Sequence, residues 1–161
     1  MKLDKFLLLI IFLAVSTIGQ AQTIPDFMLE NLDGEWVSYS ELKGDEVTVV
    51  DFWASWCKPC MKAMPEIEKL FNNYHHKGLS VISINTDGPR SISKVVPLSK
   101  TLKLSYPIIS DINNELMNEL NITALPTLLL VDNKGTVRYR HEGWNIGDEK
   151  EIEHQIKLFI Q

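Results

Sequence analysis

The chain has 161 residues, 45% apolar and 23% charged, with 8 Gly, 7 Pro and 2 Cys. These proportions exclude a disulfide-dense miniprotein, a low-complexity or collagen-like chain and a polytopic membrane protein, and fit one soluble globular domain. A net charge of −5 leaves no basic footprint for nucleic acid.

The chain opens with Lys2 and Lys5, followed by an apolar run over residues 6–15. That run falls short of the roughly 20 residues a membrane span needs. Gly19 and Ala21 supply small side chains at the −3 and −1 positions of a cleavage after Ala21. Residues 1–21 therefore read as a secretory signal peptide. The competing reading is an uncleaved segment that anchors the protein to the membrane. No cysteine follows the run, so a lipid-modified N-terminus is not expected. Residues 22–161 then form the mature domain in an exported, periplasmic or extracytoplasmic compartment, where disulfides persist.

Within that domain, residues 24–32 predict an extended lead-in closed by a turn at Asp33-Gly34. Ser38 and Glu41 stand at capping-box spacing, so residues 38–42 predict one helical turn ending at Gly44. Residues 47–53, VTVVDFW, predict a strand apolar on both faces apart from Thr48 and Asp51, as a doubly covered central strand requires. Met61, Met64, Ile67, Leu70, Phe71 and Tyr74 recur at helical spacing up to Lys77-Gly78, with Pro65 inside as a bend. A second strand at residues 79–84 closes on Asn85-Thr86-Asp87-Gly88.

Residues 91–103 predict a helix interrupted by Pro97, and residues 107–110 a short strand. Asp111 caps a helix with Leu116, Met117 and Leu120 on its apolar side. Residues 127–131 predict a third long strand, turning at Asp132-Asn133-Lys134-Gly135 into residues 136–141 as a hairpin with one wet face. A last helix carries Ile152, Ile156, Phe159 and Ile160. Strands alternating with helices, then a hairpin and a helix, predict one α/β domain.

Both cysteines fall in Cys57-Lys58-Pro59-Cys60, at the end of a strand and the start of a helix. Free N–H groups and the helix dipole at that position stabilise an anion, so a thiol there ionises more readily. At a pKa near 8.5 only about 3% of a thiol is thiolate at pH 7, and lowering the pKa to about 7 raises this to roughly half. Lys58 acts in the same direction. Cys57 is accordingly the nucleophile. Cys60, one turn deeper, is the resolving thiol that attacks a mixed disulfide and releases the product. A structural staple is a poor alternative, because so small a loop contributes only about 2 kcal/mol. A zinc site would want four ligands, and His75 and His76 are adjacent and point about 100° apart. Copper delivery through Met61, Met64, His75 and His76 is the other alternative, although both methionines also continue the apolar helix face.

The segment Asp51-Phe52-Trp53-Ala54-Ser55-Trp56-Cys57-Lys58-Pro59-Cys60 resembles the active-site segment of the thioredoxin superfamily. Ser40-Glu41-Leu42-Lys43-Gly44 before it resembles the lead-in of the exported TlpA/ResA-like thiol–disulfide oxidoreductases. Ala124-Leu125-Pro126-Thr127, ahead of a strand ending Val131-Asp132-Asn133-Lys134-Gly135, does likewise. The resemblance implies a thioredoxin fold, a central mixed sheet flanked by helices, with an N-terminal extension and an insertion before the cis-proline strand. It implies that Pro126 is cis and faces the cysteine pair, leaving the backbone of Leu125 free to pair with an extended substrate. The stretch between Asp87 and Leu125, longer than a minimal thioredoxin needs, resembles both the TlpA/ResA and the peroxiredoxin branches. A peroxidase would want Thr or Ser three residues before its reactive cysteine, where Cys57 has Ala54 and Cys60 has Cys57.

An acid within an apolar central strand is costly unless neutralised or used. By resemblance to the buried Asp of thioredoxin, Asp51 handles the proton of Cys60, its pKa raised towards the working pH by desolvation. Many TlpA/ResA-like relatives carry Asn there. The buried Lys that accompanies thioredoxin's Asp has its counterpart around Ser83, so Asp51 is expected to lack that partner. Trp56 shapes the contact surface beside the nucleophile, with Lys58, Pro59, Leu125 and Pro126 completing the substrate-binding set, while Trp53 and Trp144 are structural. The expected activity is reduction of protein disulfides in exported proteins, with electrons from a membrane donor. It needs no cofactor or metal, because the protein's own sulfurs carry the electrons.

Overall fold

The computed structural model describes residues 22–160. The predicted signal peptide, residues 1–21, lies outside the described residues. No helix among the described residues is long and apolar enough to cross a membrane.

Seven strands form one mixed sheet: β1 (Met28–Asn31), β2 (Trp36–Ser38), β3 (Val47–Trp53), β4 (Leu79–Asn85), β5 (Ile108–Ser110), β6 (Thr127–Asp132) and β7 (Val137–Glu142). Their order is β2-β1-β5-β4-β3-β6-β7. β3 runs parallel to β4 and antiparallel to β6, and all seven of its residues are buried. This is the doubly covered central strand that its near-continuous apolar sequence requires. Alternation along the strands divides the core in two. Val47, Val49 and Trp53 pack with Val81, Ile108, Leu128 and Leu130 on one face, while Val50 and Phe52 pack with Ile82, Ile84, Leu129 and Val131 on the other.

The helices are α1 (Tyr39–Leu42), α2 (Lys58–Tyr74), α3 (Val95–Leu102), α4 (Glu115–Glu119) and α5 (Asp148–Lys157). Ala63, Met64, Ile67 and Leu70 of α2, Val95 of α3, and Ile152 and Ile156 of α5 cover the first face. Tyr39 of α1, Leu116 of α4 and the lead-in residues Ile24 and Phe27 cover the second. The predicted capping box is present in full: Ser38 Oγ accepts from the Glu41 N–H at 3.3 Å, and the Glu41 carboxylate accepts from the Ser38 N–H at 2.8 Å. Gly44 ends that turn where a Cβ would sit within 2.7 Å of backbone atoms of Val47, Gly78 and Ser80.

Several local expectations change. Residues 36–38 form β2, which pairs with β1 as a hairpin and, with β1 bonded to β5, extends the sheet. The sequence left this strand unread because three residues carry too little periodicity. Pro97 does not interrupt a helix. It lies in the first turn of α3, after a 3-10 turn at Ile92–Lys94, where its missing N–H has no intrahelical partner to lose. Pro65 sits inside α2, which continues through it to Tyr74. Asp111 caps α4 from a distance, its carboxylate accepting from the N–H groups of Leu116 (3.3 Å) and Met117 (2.8 Å). Phe159 and Ile160 follow α5 rather than belong to it. The long connection between Asp87 and Leu125 is α3, β5 and α4.

Candidate active site

Three segments meet at one end of the sheet: the loop after β3, the loop after β4 and the turn entering β6. In the first, Cys57 is the N-cap of α2, and its Sγ accepts from the Cys60 N–H at 3.2 Å. Pro59 occupies the first turn, where a missing N–H costs nothing. The two sulfurs are bonded, 2.01 Å apart. Cys60 is fully enclosed, whereas Cys57 keeps 4% of its surface accessible. Of the two, Cys57 is the less enclosed residue. Lys58 and Pro59 are exposed beside it.

Asp87, from the loop after β4, holds the cysteine loop in place. It is fully buried. Its carboxylate accepts from the Ser55 N–H at 2.6 Å, from Ser55 Oγ at 2.9 Å and from Asn85 Nδ2 at 2.9 Å. Burial pushes its pKa up, but hydrogen-bonding groups of Asn85, Ser91 and Ser55 outweigh that and hold it below the ordinary value. The Thr86 N–H and Oγ1 both donate to the carbonyl of Trp53 at the end of β3, at 2.9 and 3.1 Å. In the sequence, residues 85–88 read only as the end of a strand. The available signal was an acid and an amide two residues apart at the carboxyl end of a strand neighbouring the cysteine strand.

The third segment contains a cis peptide between Leu125 and Pro126, as the resemblance implied. Phe52 pairs with Thr127 across β3 and β6, so Pro126 lies one residue beyond the register at the same end of the sheet as the cysteines. Thr127 Oγ1 donates to the Ala124 carbonyl at 2.8 Å, and the Gly143 N–H to the Pro126 carbonyl at 2.8 Å. These bonds tie the turn to β6 and to the loop after β7. Leu125 is half-buried against the cluster that holds both cysteines. Trp56 is 69% exposed, so its ring is available at the surface, whereas Trp53 and Trp144 are buried.

Asp51 is fully buried, on the face of β3 that carries Val49 and Trp53. Neither carboxylate oxygen has a hydrogen-bond partner in the protein. Desolvation raises its pKa from 3.8 to about 7. Ser83 is its register neighbour on β4. The carboxyl thus lies where it can change protonation near neutral pH, the range a proton carrier for a thiol requires.

The copper alternative loses its geometry. Met64 is fully buried in the core, whereas His75 and His76 stand exposed in the 3-10 turn His75–Lys77, about 25 Å along the helix from its cysteine end. No group of three His, Cys, Asp or Glu among the described residues is disposed to hold a metal ion.

The AhpC/TSA family pattern matches residues 20–140. The chain belongs to the AhpC/TSA family. It is 36% identical to the thioredoxin-like protein YneN of Bacillus subtilis, over 88% of this chain and 81% of that protein. It is 31% identical to the thiol-disulfide oxidoreductase ResA of Geobacillus kaustophilus, over 79% of this chain and 71% of that one. Among solved structures, a Chlorobium tepidum protein assigned as a thiol:disulfide interchange protein DsbE superposes with a TM-score of 0.80 at 27% identity, covering 88% of this chain and 97% of that one. The fold is the thioredoxin fold. The bonded Cys57–Cys60 pair and the names of these relatives agree on thiol–disulfide exchange as the chemistry.

Proposed function

We propose that this thiol–disulfide oxidoreductase acts as a reductant of disulfides in exported proteins. The observation that carries the reading is the placement of a bonded cysteine pair, Cys60 fully buried and Cys57 slightly less so, at the N-terminus of α2 and at the same end of the sheet as the cis Leu125–Pro126 turn.

In the reduced protein, the Cys57 thiolate attacks one sulfur of the substrate disulfide and expels the other as a thiolate, which takes up a proton. Leu125 and Pro126 hold the extended substrate chain, and Trp56, Lys58 and Pro59 form the surface it crosses. Asp51 accepts the proton of the Cys60 thiol. The Cys60 sulfur then bonds to the Cys57 sulfur, and the bond from Cys57 to the substrate sulfur breaks with its electron pair on the substrate. Asp51 passes the Cys60 proton on to this second substrate thiolate. Two electrons thus reach the substrate from Cys57 and Cys60, one of its two protons comes from Cys60 and the other from solvent, and the Cys57–Cys60 disulfide remains. Recycling takes two electrons from a donor, which for a periplasmic protein is a membrane partner. Cytochrome c maturation and general disulfide reduction are the uses that fit. Residues 1–21 serve as the export signal.

Equilibration with glutathione buffers, followed by thiol trapping, tests the direction. A reductant gives a potential below about −150 mV, and a value above it assigns the protein to oxidation. Reduction of insulin by the recycled protein tests the activity itself.

A further inference from the structure

The sheet face below the cysteine pair is apolar but interrupted by an unusual polar group. Asp51 lies on β3, and Ser83 lies beside it on β4 in parallel register. The Ser83 N–H donates to the Pro107 carbonyl at 3.0 Å, which brings Tyr106, the preceding residue, to the same place from the entry of β5. Tyr106 shares its apolar cluster with Cys57, Cys60 and Met64, and its ring meets Phe71 of α2 edge-on, centroids 6.0 Å apart. Asp51 and Ser83 are fully buried and Tyr106 is 4% exposed. Both Asp51 carboxylate oxygens, Ser83 Oγ and Tyr106 Oη have no hydrogen-bond partner in the protein.

Buried polar side-chain atoms are paired in the large majority of cases. Here four such atoms, an acceptor pair and two hydroxyls, come from three separate segments that share one face of the sheet, where Trp53 Nε1 is also without a partner. A buried water needs two to four polar partners, which this group supplies. We propose that Tyr106 and Ser83 are positioning residues for Asp51: their hydroxyls, joined through one buried water, are the hydrogen-bond donors that hold the Asp51 carboxyl and its proton on the cysteine side of the sheet. This assignment rests on the reading of Asp51 as the group that takes the Cys60 proton.

The chemistry of the donors matters. A lysine at position 83 would hold Asp51 ionised, whereas neutral hydroxyls support both protonation states. Burial, and after it the charges of Asp51 and Glu68, push the Tyr106 phenol well above its ordinary pKa, so it keeps its proton to donate. Glu68 of α2 fixes the segment from outside, accepting from the Ser105 N–H at 2.9 Å and Ser105 Oγ at 2.6 Å. The other elements on this face offer little that titrates. β6 presents Leu128 and Leu130, α3 presents Val95, and α5 presents Ile152 and Ile156. The phenols packed at the rim are Tyr139 of β7 and Tyr74 of α2, whose hydroxyl donates to Glu153. Asp87 is engaged by Ser55 and Asn85, and Asp132, at the far end of β6, by Arg138. The Cys57–Cys60 pair of α2 titrates only when reduced.

The test is a carbon-13 carboxyl NMR titration of Asp51 in the oxidised protein, for the wild type, Tyr106→Phe, Ser83→Ala and the double variant. Alongside it, the pH dependence of mixed-disulfide resolution is measured for these proteins and for Asp51→Asn. Losing a donor disfavours the carboxylate. The Asp51 midpoint should therefore rise by about half a unit to one unit in Tyr106→Phe and further in the double variant. The resolution profile should move the same way. Phenylalanine keeps the packing against Phe71, and Ser83→Ala, which removes no ring, gives the same readout if Tyr106→Phe fails to fold. A midpoint that stays put in the foldable variants overturns the proposal. A midpoint that moves while Asp51→Asn keeps the wild-type rate profile supports the positioning and overturns the acid–base reading of Asp51.

Discussion

Replacing Asp51 with asparagine should stabilise the oxidised protein by an amount that depends on pH. The carboxyl is fully buried, without a protein partner, and its pKa is raised from 3.8 to about 7 by desolvation. Below about pH 4 it is neutral in both the folded and the unfolded chain, so ionisation takes nothing from stability. Between about pH 4 and 7 the unfolded chain releases the proton while the folded protein retains it. The folded state then binds more protons, and stability falls as pH rises. Above pH 7 the carboxylate is ionised in both states and the loss is complete. Three units at 1.36 kcal/mol each give on the order of 4 kcal/mol. The amide of the Asp51→Asn variant does not titrate and has no such dependence. With a urea slope of about 2 kcal/mol per molar, the variant's midpoint should exceed that of the wild type by about 2 M more at pH 8 than at pH 4. Tryptophan fluorescence during urea unfolding of the oxidised protein measures this without interference from titrating thiols. A gap that stays constant from pH 4 to 8 would refute the buried, proton-holding Asp51.

Two further substitutions probe the loops. Asp87→Ala removes three hydrogen bonds to a buried carboxylate and leaves Ser55 and Asn85 donors unpaired, so it should destabilise by about 3 kcal/mol near neutral pH. Because the folded-state pKa of Asp87 is depressed, this difference is present above about pH 4 and should shrink as pH falls through the folded value. A urea midpoint equal to that of the wild type at pH 7 would show that the loop needs no such clamp. Trp56→Ala should change stability by less than about 0.5 kcal/mol, since the ring is mostly exposed. It should raise KM about tenfold for a protein disulfide with little effect on a small aromatic disulfide. An equal effect on both substrates would place the ring at the chemistry instead of the contact surface.

The parts of the site legible in the sequence are those written in adjacent residues. Cys57 to Cys60 at a strand–helix junction and the apolar run of β3 each carry a local signal tied to backbone geometry, whereas the cis Leu125–Pro126 bond followed from the family resemblance of the segment around it. Ser38 and Glu41 likewise announce their capping box through spacing alone. Asp87 was not legible, because its partner Ser55 is 32 residues away and the pairing depends on β3 and β4 lying side by side. Tyr106 was hidden for the same reason: its segment reaches the face of Asp51 through the pairing of β4 with β5 and the Ser83–Pro107 hydrogen bond. Ser83 stands out in the sequence only through the family resemblance, and its register with Asp51 is a property of the folded sheet. The edge strand β2 failed differently, since three residues against a neighbouring hairpin arm contain no period to detect.

In the proposed exchange Cys57 attacks and Cys60 resolves. Cys60→Ala, expressed in the native host and isolated after acid quenching, addresses it directly, because the variant can form a mixed disulfide and cannot release it. Substrate proteins should be recovered covalently bound through Cys57, freed by reductant and missing from the Cys57→Ala, Cys60→Ala double variant. Recovery of no reductant-sensitive complexes from a folded Cys60→Ala protein would contradict that exchange.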